Sequence, residues 1–286
     1  MLINYWRLSM SLSLFHEGSA QDIHCRQKQK NRQKQKIASA FGRAAARYDS
    51  LANYQQNTGS QLLRLLDQYA NPASLSTCHH ILDAGCGTGF FSQIMQQRGD
   101  QVTALDLSVG MLNVAKSKQS ANDYVCADMD ALPFDNASFD GVFSNLAIQW
   151  CDDLQHALGE LYRVTKPGGM IGFTTLAENS LGELSQAWKV LDDTPHVNRF
   201  LAYPQITKSC LPWRHQLFQQ ADTLYFSNLI ELLNSVKGIG ATHLTAGRQS
   251  GLMTRQRLQQ LISVYPDTDQ GLPLTYQTVF GIIYRD

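Results

Sequence analysis

An apolar run that breaks into glycines at every second position most limits what this chain can become: Ile81-Leu82-Asp83-Ala84-Gly85-Cys86-Gly87-Thr88-Gly89-Phe90-Phe91. The apolar half reads as a buried strand, the glycines as a tight turn, and Phe90-Phe91 as the start of a helix. With no Cβ atoms at 85, 87 and 89, the backbone can turn sharply and a ligand can lie against the main chain, facing the free N–H groups that open the helix. The spacing is G-x-G-x-G, whereas dinucleotide sites use G-x-G-x-x-G. Alone, such a loop also fits a nicotinamide site or a chance glycine-rich turn. A second apolar segment, Val102-Thr103-Ala104-Leu105, strengthens the case because it ends in Asp106, where doubly wound folds hold a ribose diol.

The alternation then continues. A helix bearing Phe90, Phe91, Ile94 and Met95 closes at Gly99, and Ser108 can cap a helix bearing Met111, Leu112 and Ala115. A third strand, Tyr124 to Ala127, ends at Asp128-Met129; a fourth, Phe139 to Ser144, runs into Asn145-Leu146-Ala147-Ile148-Gln149-Trp150-Cys151. A helix with Leu154, Leu158, Leu161 and Val164 stops at Lys166-Pro167-Gly168-Gly169, and a fifth strand runs from Met170 to Thr175. Strands alternating with helices predict an α/β fold with a doubly wound, mostly parallel sheet of seven strands. Ligands in such folds sit outside the carboxyl ends of the strands, so Asp128, Asn145, Gln149 and Trp150 are candidate site residues. For Trp150, core packing is an almost equal alternative. Past Leu176 the rhythm breaks, and residues 178–215 are expected to form a cap over the crevice. A sixth strand is expected at Leu217–Phe226 and a last one at Leu274–Ile283.

Ahead of the glycine loop, Ile37 to Asp49 is alanine-rich and helical in propensity, with Ile37, Phe41 and Ala45 on one face and Arg43, Arg47 and Tyr48 alongside. It is preceded by Arg26, Lys28, Lys30, Arg32, Lys34 and Lys36, a basic run without an apolar face. This reads as a solvated, disordered tail, with attraction of an acidic partner as the sharper alternative. Residues 1–35 are therefore expected to form a basic extension, and residues 36–286 one domain. Lys+Arg and Asp+Glu both total 24, so no overall charge points to nucleic acid or to a membrane surface. The apolar stretch Leu8 to Phe15 is broken by serines and is too short to span a bilayer. The six cysteines show neither C-x-x-C pairs nor zinc-like spacing, so reduced thiols, a cytoplasmic location and no metal are expected.

The glycine loop with Asp106 resembles motif I and the acidic loop of class I S-adenosylmethionine (SAM)-dependent methyltransferases. The resemblance implies that the loop receives the methionine part of SAM, that Asp106 holds the ribose, and that Asp128 meets the adenine amino group. A solvated loop acid is the alternative for Asp128. The implied cofactor set is Asp83, Gly85, Gly87, Gly89, Asp106, Leu107, Asp128, Met129 and Asn145, under a lid at the helix carrying Tyr48. The last strand fits the antiparallel strand that this superfamily inserts into its sheet.

More specific matches run from about Lys36 onward: Phe41-Gly42-Arg43-Ala44-Ala45 with Tyr48, Ser144-Asn145-Leu146-Ala147 with Gln149-Trp150-Cys151, Phe173-Thr174-Thr175-Leu176, Asn198-Arg199-Phe200, Lys237 to Leu244, and Leu274-Thr275-Tyr276. Together they resemble the malonyl-[acyl-carrier-protein] O-methyltransferases of biotin synthesis. The implied reaction is methyl transfer from SAM to the free carboxylate of a malonyl thioester, borne on an acyl carrier protein or on coenzyme A. That chemistry wants a cation or donors for the acceptor carboxylate. Arg199, with its planar fork, and Tyr48, on the lid side, are the candidate catalytic residues. Gln149, Trp150 and His243 join them around the substrate, His243 with a packed histidine as the alternative, and Arg248 is a weaker candidate. Acyl carrier proteins are acidic, so Lys237, Arg255 and Arg257 are candidates for a docking surface. A methyltransferase for another small-molecule carboxylate or for carbon, and a SAM-binding protein without transfer activity, remain the alternatives.

Overall fold

The computed structural model describes residues 20–70, 79–238 and 254–286. His243 and Arg248 lie outside the described residues, as do residues 1–19. Among the described residues no helix is long and apolar enough to cross a membrane.

The chain opens with α1 (Ala20–Leu51) and α2 (Asn53–Tyr69), then alternates through β1 (His80–Ala84), α3 (Phe90–Gln97), β2 (Gln101–Asp106), α4 (Val109–Ser117), β3 (Asp123–Cys126) and β4 (Phe139–Asn145). A 3₁₀ turn at Ile148–Trp150 leads to α5 (Leu154–Val164) and β5 (Thr165–Leu176). The remainder is α6 (Gly182–Leu191), α7 (Tyr203–Cys210), β6 (His215–Phe226), α8 (Leu229–Gly238), α9 (Arg255–Val264) and β7 (Leu272–Tyr284).

The seven strands run in the order β3-β2-β1-β4-β5-β7-β6. Strands β3, β2, β1, β4 and β5 are parallel, and β7 is antiparallel to both β5 and β6, as the resemblance implied for the last strand. After β1 the chain winds outward through β2 and β3, then returns to β4 on the other side of β1. The crevice at this reversal is where an open α/β sheet binds its ligand.

Both faces of the sheet are covered. Phe91 and Met95 of α3, Leu112 of α4 and Leu62 and Leu63 of α2 pack on one side, against Val102, Ala104 and Phe143. Leu158 and Leu161 of α5, with Ile206 and Cys210 of α7, pack on the other, against Leu82, Leu105, Val142 and Ile171. Each side chain of this size contributes about 1.5–3 kcal/mol when fully buried.

Two expectations need correction. The basic run is helical from Ala20 onward. Its lysines, arginines and glutamines are good helix formers, and Lys34, Ile37 and Ala45 are buried against the rest of the protein, so tertiary contacts hold in place what was read as a disordered tail. The boundary expected at residue 36 therefore falls inside a helix. Residues 178–215 do lie after β5 and carry α6 and α7, but they do not cover the crevice. Trp188 and Leu184 of α6 pack toward α8, α9 and β7, while α7 packs on α5. The crevice is covered by α1.

Candidate active site

The glycine loop joins β1 to α3 with its backbone tied to β2. Gly85 and Cys86 both donate to the Leu105 carbonyl, at 2.7 and 2.9 Å. Gly85 has a φ of +84°, and a Cβ there would sit 2.2 Å from that of Ala147. Gly87 has a φ of +56°, and a Cβ there would find nothing nearer than the Tyr48 ring at 4.0 Å. The Gly87 position thus leaves open space beneath the ring. Its N–H donates to Asp106 Oδ2 at 2.9 Å, and the Ser108 N–H donates to Oδ1 at 2.7 Å. Burial raises the Asp106 carboxyl above its usual range, and these two donors partly oppose the shift. Ser108 also caps α4 through Met111 N.

Asp83 stands behind the loop, 2% exposed, and accepts from Ser92 Oγ of α3 at 2.5 Å. Desolvation, with the nearby Asp106 charge adding, pushes its carboxyl up to about 7, against the Ser92 hydrogen bond. The folded protein therefore holds this proton through a window, about pH 4 to 7, in which the unfolded chain has released it, and stability falls as pH rises through it. Asp83→Asn is expected to flatten that part of the melting-temperature profile. An unchanged slope would show that Asp83 is ionised in the fold.

The C-terminal half of helix α1 lies across the mouth as a strap fixed at two points, Lys34 and Asp49. Lys34 is 8% exposed; its Nζ donates to Asp128 Oδ2 at 2.6 Å and to Asp130 Oδ2 at 2.5 Å, with Asp152 Oδ2 at 3.6 Å. Burial opposes its charge, but the bonds to Asp128 and Asp130 and their charges outweigh it and raise the ammonium above its usual range. At the second point, Asp49 accepts from Thr88 Oγ1 of the glycine loop and from Lys118 Nζ, which also donates to the Thr88 carbonyl at 3.2 Å. Between the anchors α1 crosses α4 closely, because Gly42 meets Gly110: a Cβ on Gly110 would stand 2.6 Å from the Gly42 Cα. This crossing sets Phe41 edge-on to Trp150, with ring centroids 5.5 Å apart and planes at 80°. Burial, then the charges of Asp106 and Asp49, raise the Tyr48 phenol, so it keeps its proton throughout the physiological range.

The third wall is the exit of β4. Asn145 donates through Nδ2 to the Gln55 carbonyl of α2 at 2.9 Å and accepts from Thr174 Oγ1 at 2.8 Å. Together these elements line an open crevice with about 730 Å³ of empty space, part of it continuous with solvent.

A family model described as a methyltransferase domain matches residues 82–173, the stretch from β1 into β5. The solved structures of a Bacillus halodurans protein and of the YcgJ protein from Bacillus subtilis share the fold. They superpose with TM-scores of 0.57 and 0.55 at 16% and 17% identity, covering 80% and 79% of this chain and 99% of each of theirs. Sequence relatives reach further. The malonyl-[acyl-carrier protein] O-methyltransferase of Pectobacterium atrosepticum is 49% identical over 90% of this chain and 98% of its own, and that of Yersinia pestis is 50% identical over 90% and 93%. The chain belongs to the malonyl-[acyl-carrier protein] O-methyltransferase family. It is a SAM-dependent O-methyltransferase, and SAM is its methyl donor.

In this methyltransferase the crevice is lined by most of the residues named from sequence: Tyr48, Gly85, Gly87, Asp106, Leu107, Asp128, Met129, Asn145 and Trp150. Asp83 and Gly89 stand behind the wall. Asp83 braces α3, and Gly89, with a φ of +80°, caps that helix where a Cβ would strike Ser120. Gln149 is not among the lining residues and donates to the Leu146 carbonyl at 2.8 Å. Arg199 is exposed on the segment between α6 and α7 and does not line the crevice. Arg257, expected at a docking surface, instead pairs with Asp192 and lies over the Trp188 ring. Sequence reasoning missed Lys34, Ser108 and Ala147 as lining residues. For Lys34 a signal existed, since it continues the helical face of Ile37, Phe41 and Tyr48 one turn toward the N-terminus.

Proposed function

We infer that this enzyme methylates the free carboxylate of a malonyl group carried on an acyl carrier protein, with SAM held in the crevice between the glycine loop and α1. The observation that carries the acceptor is the similarity, over about 90% of this chain, to enzymes named for that substrate. The residues present fit the donor. Open space above Gly87 suits the amino-acid part, Asp106 at the end of β2 suits a ribose diol, and Asp128 with Met129 at the end of β3 suits an adenine edge and face.

SAM, when bound, supplies an electrophilic methyl group on a sulfonium. A malonyl carboxylate is ionised at neutral pH, so the chain needs no general base. Its task is to orient the acceptor, and holding two reactants in line can contribute about 7–11 kcal/mol. Phe41 and Trp150 meet edge to face at the mouth and exclude water, which would otherwise solvate the carboxylate and blunt it as a nucleophile. Tyr48 offers a phenol that keeps its proton and can donate to one carboxylate oxygen while the other reacts. Methylation removes the charge at the distal acyl end, which then suits the apolar elongation sites that build a pimeloyl precursor of biotin.

Incubation with SAM and malonyl-acyl carrier protein, followed by mass spectrometry, is expected to show one added methyl on the acyl group. No transfer would overturn the assignment, and equal transfer to malonyl-coenzyme A would remove the carrier from it. Tyr48→Phe is expected to lower kcat about tenfold or more with SAM affinity retained by calorimetry, the loss of one hydrogen bond to a charged group. An unchanged kcat would take the acceptor away from Tyr48.

A further inference from the structure

The strap α1 has two faces of opposite character. Lys34, Ile37, Phe41 and Tyr48 turn inward to the crevice. Arg32, Lys36, Arg43 and Arg47 are all exposed. On a helix these four fall within about 60° of arc, on the side away from the crevice. Between Arg32 and Tyr48 the helix carries no acid. Among the described residues none of the four is held in an ion pair, whereas Lys34, Lys118, Arg163, Lys166 and Arg257 all are. The acids that could have neutralised the stripe lie on the inner side, where Asp128 and Asp130 are taken by Lys34 and Asp49 by Lys118. What remains outside is a ridge of four unpaired cations running along the lid.

We propose that this outer face of α1 is the surface on which the acyl carrier protein docks. The proposal rests on the acceptor assigned above and adds where its carrier sits. Acyl carrier proteins are acidic, and a linear array of guanidinium and ammonium groups is complementary to an acidic helix of such a partner, speeding encounter and fixing orientation. A carrier seated there stands about one helix diameter, ~10 Å, from the crevice, within reach of an acyl group on a tether. Docking on the lid also ties substrate delivery to the element that closes the site.

The test compares the wild type, Arg43→Glu/Arg47→Glu, and a gentler variant with all four residues changed to Gln. Each is assayed for methyl transfer to malonyl-acyl carrier protein at graded sodium chloride, for carrier binding, and for SAM binding by calorimetry. Both variants are expected to raise the carrier KM about tenfold or more, with kcat at saturation and SAM affinity retained. The salt dependence of wild-type kcat/KM should be flattened in the Gln variant, where the charges that salt would screen are gone. An unchanged KM overturns the docking surface. Loss of SAM affinity in the Gln variant also overturns it, by showing that the stripe holds the lid in place. A wild type that binds the carrier in a salt-sensitive way yet transfers no methyl keeps the docking surface and sinks the acceptor assignment alone.

Discussion

Asp106→Ala should cost the enzyme at least about 100-fold in SAM affinity, measured by calorimetry. A hydrogen bond to a charged group is worth about 1.5–3 kcal/mol, and the carboxylate can serve both hydroxyls of a ribose. The structure adds a second reason. The same carboxylate already accepts the N–H groups of Gly87 and Ser108, so it holds the glycine loop and the start of α4 in register before any ligand arrives. Removing it deletes a ligand contact and releases the cradle together. Asp106→Asn keeps an acceptor oxygen for one of the two backbone donors, and should recover thermal stability more fully than affinity. Unchanged SAM affinity in the alanine variant would remove the ribose from this residue.

Lys34→Ala is the other large effect. Lys34 bridges Asp128 and Asp130 and stands close to Asp152, and its loss takes away the ammonium that joins Asp128 and Asp130 just past the end of β3. Breaking a largely buried pair by removing one partner costs about 3–5 kcal/mol. That cost falls on the docking of α1, since the sheet core makes no use of this contact. Amide hydrogen exchange is therefore expected to speed up strongly in the turns of α1 around Lys34, while the strands keep their protection. The gain in mobility should also raise the KM for SAM. Unaltered exchange around Lys34 would show that the Gly42–Gly110 crossing and the Asp49 anchor suffice to hold the helix.

The parallel half of the sheet and its ligand crevice were legible because they rest on local signals. Apolar runs of strand length end in Asp83-Ala84-Gly85, Asp106 and Asp128-Met129, and each such end must point at the crevice once the strands are parallel. The position of β7 was legible only through resemblance, since nothing in Leu274–Ile283 itself says which neighbours it joins. The strap was misread where composition misleads. Gln-rich and Lys-rich segments without an apolar face look disordered, but Lys34 finds three acids that lie about a hundred residues away in sequence, and no local pattern announces them. Arg199 was singled out for its chemistry, and chemistry alone does not aim a side chain. The segment that carries it packs to one side, where Trp188 stacks on His196.

The order of strands also sets the order in which the molecule can be made. Strand β7 is synthesised after the six other strands, yet it separates β5 from β6 and, among the described residues, is the only strand with which β6 pairs. As the chain leaves the ribosome, β1 to β5 emerge with their partners, so the cofactor half can assemble early. The twelve residues of β6 have nothing to pair with until β7 follows. During that interval one edge of β5 and both edges of β6 are open, the moment at which a sheet is most exposed to pairing with another chain. Cellular yield of this enzyme should therefore depend more on how quickly its last strand is delivered than on the stability of the pocket it completes.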